Sequence, residues 1–404
     1  MGTLTGVRPQ LIVGALCLLA AAGASAAVLG AQAQPPEPAR PSFAEWLSEV
    51  KSEALSRGIR EDIVSQALDS VEEPLPVVLE RDRTQAEIIL PLETYVTRRL
   101  TRRMITSGRE VYRRHRMLLE DVGVRYGVSP RIIVAIWGVE SNYGRFSGVR
   151  PTVAALATLA WDPRRATFFR GELFNALEIL NRGDIELPRM KGSWAGAMGQ
   201  PQFMPSSYLQ FAQDYDGDGR RDIWGSPADV FASVANYLKG NGWIADERWG
   251  REVSVPPDAA AAIAEVAKRP GSCRATREMS ASLPIAEWSR LGVRALGSGA
   301  LPKAEMRASL VSGASRHFLV YGNYDALLSY NCAHAYAISV ALLADRIGGA
   351  EPGRGARPRT KAAASGSRSA SIRLSGHRQA LRPRHGSRQR RAVRTLRPGD
   401  VAPR

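Results

Sequence analysis

The chain has 404 residues, 44% of them hydrophobic and 23% charged, which is the composition of a globular protein with enough apolar residues for a sizeable core. Its net charge is +16, but residues 351–404 hold fifteen Lys and Arg against two acids and so carry +13 of it. The rest of the chain is nearly neutral, which argues against nucleic-acid binding by the folded part, and no specific nucleic acid is expected as a partner.

The N-terminus has the pattern of an export signal. Arg8 precedes an apolar stretch from Leu11 to Leu29, with small-residue steps at Ala24–Ala26 and Ala31–Ala33 that suit a signal peptidase. We therefore predict a signal peptide and linker over residues 1–33 and a periplasmic protein. An uncleaved anchor helix is the alternative, because the apolar stretch is nearly long enough to span a bilayer.

The first part of the predicted globular region is helical. Ser42 and Glu45 have the spacing of a capping box, and the helix that they open continues to Gly58. A second amphipathic helix runs from Ile63 to Val71, and a long Arg-rich helical stretch covers Leu92 to Val124. We expect these helices to pack with solvated basic faces and assign them no chemistry.

The middle and end of the chain alternate between helical and β-rich patterns. Ser129-Pro130 begins a helix whose first turns are apolar on all sides and therefore lie in the core. Residues 251–318 alternate and contain Pro and Gly, which predicts a small β-rich subdomain, and a last apolar helix covers Ala333 to Ile347. Further helices are predicted at 152–160, 165–181, 206–213 and 227–240.

The segment 351–404 is rich in Arg, Ser, Ala, Pro and Gly and has no periodic apolar residues. Such a composition predicts a disordered basic tail, which would bind polyanions loosely. Two cysteines, Cys273 and Cys332, remain once a signal is removed. An oxidising compartment would permit a disulfide between them, but two separate thiols fit equally well, and their spacing does not decide the question.

Glu140 is the first candidate for chemistry. It falls at the end of the predicted buried helix, where desolvation and the negative end of the helix dipole both raise the pKa of a carboxyl group. A carboxylic acid that stays protonated near neutral pH is what general-acid cleavage of a glycosidic bond requires. An ordinary exposed glutamate near a helix end is the alternative.

Residues 191–208 form a second constellation. Their small residues allow close approach of the backbone, and Gln202 and Phe203 supply a hydrogen-bonding amide and an aromatic platform for a sugar ring. Taken alone, the segment is equally consistent with a Gly-rich turn before a helix that Ser206 caps.

Together these motifs resemble those of the B-type lytic murein transglycosylases. The similarity covers about Phe43 to Gly348, in the order of the following segments: Glu140–Gly144, Ala195–Gly199, Gln202–Ser206, and Tyr330-Asn331 with Tyr336. It implies a mainly α (α+β) fold, with a lysozyme-like catalytic core, a helical flanking domain and the small β-rich subdomain, in a catalytic region over residues 42–350. It also implies that peptidoglycan glycan strands are the substrate and that cell-wall synthesis or division proteins are candidate partners.

The resemblance also implies a mechanism with a single acid and no catalytic cofactor. Glu140 would protonate the leaving oxygen between N-acetylmuramic acid and N-acetylglucosamine and then deprotonate the muramyl 6-hydroxyl, which closes a 1,6-anhydro ring. Groove residues carried over by position are Arg164, Arg165, Ser193, Gln202, Phe203, Tyr237, Tyr330, Asn331 and Tyr336. A hydrolytic muramidase with a second carboxylate and a non-catalytic peptidoglycan-binding protein remain alternatives.

An acidic loop predicts a structural calcium site. Asp214, Asp216 and Asp218 occupy the first, third and fifth positions of an EF-hand-like loop, and Gly219 makes the turn at the sixth. Arg220 would donate only its backbone carbonyl oxygen. The twelfth position is not the usual Glu, and the resemblance points to Asp229 as the replacement ligand.

Overall fold

The computed structural model describes residues 41–84, 90–297 and 299–349. The predicted signal peptide and the predicted disordered tail lie outside these residues. Three helices open the described chain: α1 (Phe43–Ser56), α2 (Glu61–Leu68) and α3 (Pro76–Thr84). Helix α1 begins with the predicted capping box, in which the Ser42 hydroxyl accepts from the Glu45 amide and the Glu45 carboxylate accepts from the Ser42 amide.

The Arg-rich stretch predicted over 92–124 is divided into three helices: α4 (Leu92–Arg99), α5 (Arg102–Arg114) and α6 (Arg116–Tyr126). The first break occurs because Thr101 takes an extended conformation and its hydroxyl accepts the Met104 amide at 3.2 Å, which starts a new helix. The second break is at His115, whose ring lies against Trp137 and Phe231.

The core is built on α7 (Pro130–Ser141), which is buried from Ile132 to Val139 as its apolar sequence predicts. Around it lie α8 (Thr152–Trp161), α9 (Ala166–Asn181), α10 (Pro205–Phe211) and α11 (Pro227–Gly240). Strands β1 (Arg150–Pro151) and β2 (Lys191–Gly192) form a short antiparallel pair between them. These helices match the predicted positions within a few residues.

The predicted cap of α10 is wrong. The helix begins at Pro205, with Met204 in the N-cap position, because proline lacks an N–H group and has the φ angle of a first helical turn. The amide and hydroxyl of Ser206 instead donate to the buried Glu172 carboxylate on α9, at 2.8 and 2.6 Å. Ser206 therefore ties α10 to α9.

The β-rich part is a five-stranded antiparallel sheet in the order β4-β6-β7-β3-β5. Alternation along its strands divides it between two cores: Phe318 and Val320 join the main core, whereas Leu310 and Leu319 pack with Trp288 in a smaller one. The strands are β3 (Gly250–Ser254), β4 (Leu283–Pro284), β5 (Arg294–Ala295), β6 (Arg307–Ser312) and β7 (His317–Val320), and short helices α12 (Ala260–Ala264), α13 (Arg274–Glu278) and α14 (Ile285–Arg290) connect them.

Two helices end the described chain: α15 (Gly322–Tyr330) and α16 (His334–Ile347). The turn between them carries Cys332, which forms a disulfide with Cys273 just before α13, with a Cα–Cα distance of 5.8 Å. The question that the sequence left open is thus answered by a disulfide. No single helix of the described residues is long and apolar enough to cross a membrane, and α15 and α16 meet those criteria only jointly, across a bend of 117°.

Candidate active site

Glu140 lies in the last turn of α7, half-buried where the helix leaves the core. The chain then turns through three residues in the left-handed region: Asn142 (φ 51°), Tyr143 (φ 61°) and Gly144 (φ 77°). Two of them are not glycine, a conformation that costs free energy and persists only where contacts impose it. The buried Tyr143 provides one such contact, since its hydroxyl donates to the Met104 carbonyl oxygen at 2.8 Å. The catalytic candidate is therefore followed by a constrained turn.

Burial raises the pKa of Glu140 to about 7, which is the direction that the sequence predicts. The Tyr336 hydroxyl and the positive charge of Arg99 oppose this rise. The Tyr336 hydroxyl is buried and makes no hydrogen bond of good geometry within the described residues, so its effect on Glu140 is electrostatic. No second carboxylate is among the groups that shift this pKa.

Tyrosines from three helices, α11, α15 and α16, form a wall beside Glu140. The Tyr330 ring lies 4.7 Å from that of Tyr237 and stacks 6.2 Å from that of Tyr336. The Tyr330 hydroxyl donates to the Pro201 carbonyl oxygen and the Tyr237 hydroxyl to the Ser329 carbonyl oxygen. Both hydroxyls are thereby fixed, and the rings of Tyr237 and Tyr330 remain half-buried at the edge of the core.

Phe203 does not provide the predicted platform for a sugar ring. Its side chain is only 2% exposed, and its ring packs 5.4 Å from Tyr237 and 5.9 Å from Tyr330. Phe203 follows Gln202, whose φ of 53° turns the chain and directs the next residue into the core. The prediction is corrected: Phe203 supports the tyrosines from behind.

The polar residues of the segment 191–203 brace the loop. The Gln202 side-chain amide donates to the carbonyl oxygens of Ser147 at 3.1 Å and Gly199 at 2.8 Å, which leaves its Oε1 atom without a partner among the described residues. The Ser193 hydroxyl accepts from the amides of Ala195 and Ala197, so its first role is to shape its own turn.

Gln200 is a site residue that sequence reasoning missed. Its Oε1 atom accepts from the Trp137 indole at 2.7 Å, and its Nε2 atom donates to the Trp224 carbonyl oxygen at 2.7 Å. It therefore joins the helix that carries Glu140 to the end of the acidic loop. A single glutamine in a Gly-rich segment gives no sequence signal for this bridge.

Arg164 and Arg165 lie between α8 and α9, and both pair with Asp82 of α3, whose side chain is 4% exposed. Each arginine keeps nearly half of its side chain exposed. Asp82 was also missed, because its partners are about eighty residues away in the chain. No contact among the described residues joins this ion-pair cluster to Glu140. Asn331, by contrast, is exposed beside Tyr330, and its side-chain amide has no partner in the described part of the chain.

The acidic loop brings together three of the predicted calcium ligands. Carboxylate oxygens of Asp214, Asp216 and Asp229 lie within 4.8 Å of one another, and Asp229 is fully buried at the start of α11. Burial raises the pKa of Asp229 to about 6, even though the amides of Tyr215 and Asp222 donate to it. A buried carboxylate beside two others is stabilised when a cation binds among them, so this arrangement suits a cation site.

Asp218 does not join this group; its carboxylate accepts from the Arg220 amide at 2.9 Å. Gly219 has the predicted turn conformation, with φ of 86°. The predicted ligand set is thus assembled only in part, and the side chain of Arg220 is exposed.

The class of protein to which this fold belongs is that of the transglycosylases. A family model described as the transglycosylase SLT domain matches residues 42–345, and the chain therefore belongs to that family. The predicted family and the predicted fold class are confirmed.

Relatives of the chain include proteins of two bacteria. Membrane-bound lytic murein transglycosylase B of Escherichia coli (strain K12) is 51% identical over 121 residues, which are 30% of this chain and only a third of that relative's length. The crystal structure of SltB3 from Pseudomonas aeruginosa in complex with NAG-NAM-pentapeptide is 40% identical, with a TM-score of 0.70 over 79% of this chain and 83% of that one. The Escherichia coli lytic transglycosylase Slt35 in complex with calcium is 28% identical, with a TM-score of 0.62 over 75% of this chain and 93% of that one.

Proposed function

We propose that the chain is a peptidoglycan lytic transglycosylase that cleaves the β-1,4 bond between N-acetylmuramic acid and N-acetylglucosamine without water. The observation that carries this proposal is the Glu140 carboxyl, whose pKa near 7 arises from burial and whose neighbours include no acid among the groups that shift it. The complexes of SltB3 with NAG-NAM-pentapeptide and NAG-anhNAM-pentapeptide support the choice of substrate.

In the first step Glu140 acts as a general acid. Its proton passes to the glycosidic oxygen, the bond from that oxygen to C1 of the muramyl unit breaks, and the N-acetylglucosamine part leaves with a free hydroxyl. A carboxyl with an ordinary pKa would be ionised at neutral pH and unable to donate. Because only the protonated form of Glu140 starts the reaction, activity falls as pH rises above about 7.

In the second step the same residue acts as a general base. The Glu140 carboxylate takes the proton of the muramyl 6-hydroxyl, and that oxygen bonds to C1 to close the 1,6-anhydro ring. Glu140 is then protonated again, so the cycle consumes no water. A pKa near the working pH serves both steps, since one group must donate and then accept.

Half-buried and exposed residues of the site are suited to hold a glycan strand. The Gln202 Oε1 atom offers a free acceptor, and the Asn331 amide offers both a donor and an acceptor. The faces of Tyr237 and Tyr330 suit the apolar face of a sugar. Arg164 and Arg165, fixed by Asp82, would meet carboxylates of the peptide stems on a longer strand.

Calcium would serve the structure of the enzyme and take no part in the reaction. Asp214, Asp216 and Asp229 would hold it, with Asp218 and the Arg220 carbonyl oxygen as further predicted ligands. Binding would fix the acidic loop that Gln200 joins to α7 through Trp224. We further propose a periplasmic location, in keeping with the export signal, and cell-wall synthesis or division proteins as partners.

The test is mass analysis of the products formed from purified peptidoglycan by the purified chain in the presence of calcium. We expect muropeptides one water lighter than hydrolysis products, and a loss of at least about a hundredfold in rate for Glu140→Gln. Products with free reducing ends would replace the proposal by a hydrolytic muramidase. Binding of peptidoglycan without any product would replace it by a binding protein.

A further inference from the structure

Arg99 ends α4 beside the site, and no role in the reaction has been given to it. Its Nε atom is buried and has no hydrogen-bond partner, and none of its other donors bonds to any described residue. Within the described part of the chain, therefore, none of the five N–H groups of this guanidinium has an acceptor. A buried N–H group without an acceptor costs about 1–3 kcal/mol, so such groups in folded proteins call for an explanation.

Arg99 faces the catalytic centre. Its charge acts on both Glu140 and Tyr143, which places the guanidinium near the end of α7. Helix α4 packs against α16. Tyr95, one turn before Arg99, interacts electrostatically with the buried Tyr336 hydroxyl of α16 and helps to raise its pKa. Helix α4, to which the sequence analysis assigned no chemistry, thus forms a side of the site.

No described residue accepts a hydrogen bond from Arg99. Glu140 is the carboxyl in its vicinity, and at neutral pH its burial keeps much of it protonated. Guanidinium groups are matched best by carboxylate and carbonyl oxygens, which accept from their planar fork. On the proposed substrate such oxygens occur on the acetamido groups, the lactyl group and the peptide stem.

We propose that Arg99 is a substrate-binding residue whose free guanidinium donates to a carbonyl or carboxylate oxygen of the muramoyl unit that Glu140 cleaves. This inference rests on the proposed function. Because Arg99 is half-buried and its Nε atom is enclosed, the terminal N–H groups are the donors that a substrate oxygen would reach. Arg99 also places a cation close to Glu140. The positive charge favours the carboxylate form, which takes the proton of the muramyl 6-hydroxyl in the second step.

The charged and titratable groups that interact with Glu140 lie on three helices: Arg99 on α4, Tyr330 on α15 and Tyr336 on α16. Tyr143, on the turn after α7, interacts instead with Arg145 and Arg99. Arg99 is the cation among those that lower the pKa of Glu140. Removing its charge therefore raises that pKa, and the fall in activity with rising pH moves to higher pH.

The experiment compares Arg99→Met, Arg99→Lys and Arg98→Met with the wild type, on peptidoglycan fragments across pH 5 to 9. Arg98→Met is the matched control, because Arg98 is the neighbouring arginine of α4, exposed and without a partner in the described part of the chain. For Arg99→Met we expect kcat/KM to fall roughly ten- to a hundredfold, mostly through KM. The descending limb of its pH profile should lie at higher pH than that of the wild type.

The descending limb of the pH profile of Arg99→Lys should lie at the same pH as in the wild type, because lysine keeps the positive charge. Its KM should be raised as in Arg99→Met, because lysine lacks the planar fork. Thermal unfolding of each variant shows whether it is folded. Glycan strands without peptides distinguish the two possible sources of the acceptor. If the increase in KM disappears on these strands, Arg99 donates to the peptide stem. If it persists, Arg99 donates to the substituents of the sugar.

The proposal is overturned if Arg99→Met matches Arg98→Met in both KM and the position of the limb. The proposed function is judged separately, by the mass of the wild-type products. Anhydro products with unaffected Arg99 variants would contradict only the role of Arg99.

Discussion

Glu140 illustrates how a single residue can gain reactivity at the expense of stability. Its pKa lies above the ordinary value of 4.5 because the fold disfavours the ionised carboxylate. For an acid whose pKa is raised by folding, the stability present at low pH is lost as pH rises from the unfolded value to the folded one. The free energy of unfolding should therefore fall as pH rises from about 4.5 to about 7, and the loss should persist at higher pH.

We predict that Glu140→Gln raises the free energy of unfolding at pH 8, by about 1–3 kcal/mol, because glutamine is of similar shape and cannot ionise. At pH 4 the two proteins should differ much less. Thermal or urea unfolding at the two pH values measures this. Glu49→Gln, a change of an exposed glutamate of α1 that has no partner among the described residues, is the control and should show no such gain. An equal effect of Glu140→Gln at both pH values would contradict the prediction.

At this scale the sequence was informative where a residue and its surroundings are close in the chain. Glu140 could be predicted because the apolar run and the Gly-rich turn around it are local. The nearby Gly138 is also explained locally, since an added Cβ would lie 2.5 Å from the Tyr143 ring. Arg99, Asp82 and Gln200 could not be predicted, because their significance depends on contacts across the fold. Phe203 shows the converse error, since an aromatic residue in a motif carries no sign of which way its ring points.

The acidic loop belongs to the scale of elements. It connects α10 to α11, and the Ser226 hydroxyl that caps α11 also donates to Asp216 at 2.7 Å. Local periodicity and cap residues were enough to predict most helices, including α1, α7 and α11. The breaks at Thr101 and His115 were not predicted, because a Thr inside an amphipathic pattern is equally compatible with a continuous helix.

We predict that calcium raises the unfolding temperature of the wild type and that Asp229→Asn removes this effect. At a hundredfold excess over its Kd the ion should add about 2.7 kcal/mol to the free energy of unfolding. The measurement is thermal unfolding with calcium or with a chelator. Asp258→Asn, an exposed aspartate of the β-rich part, is the control.

Asp218→Asn tests the ligand set, because Asp218 lies outside the three-carboxylate group. This variant should retain part of the stabilisation by calcium. Complete loss of that stabilisation would show that Asp218 is a ligand, as the sequence predicts. Since calcium requires ionised ligands and burial raises the pKa of Asp229 to about 6, stabilisation by calcium should weaken as pH falls below that value. A calcium effect that is as large in Asp229→Asn as in the wild type would contradict the site.

At the scale of the molecule, the disulfide between Cys273 and Cys332 links the β-rich part to the turn that carries Asn331. Pairing could not be predicted, because the sequence separation of 59 residues does not limit the distance between the two cysteines. The fold class, by contrast, was implied by the resemblance to the B-type lytic murein transglycosylases, and the order of helical and alternating segments agrees with it. The division of the sheet between two cores follows from its strand periodicity.

We predict that Cys273→Ser with Cys332→Ser lowers the free energy of unfolding, by about 4 kcal/mol at most, because the unfolded chain regains the freedom of the open loop. Thermal unfolding with and without a reducing agent checks this. Reduction should destabilise the wild type and leave the double variant unchanged. Equal unfolding temperatures for the wild type and the double variant would contradict the prediction.

The same bond alters what a protease can do to this protein. Every peptide bond between Cys273 and Cys332, which includes strands β4 to β7, lies within a covalently closed ring. One cut inside the ring adds a water to the mass but releases nothing, and the nicked protein migrates as one chain until it is reduced. Fragments that separate only after reduction would therefore map cleavage sites to residues 273–332, whereas cuts elsewhere in the described chain separate once the protein unfolds.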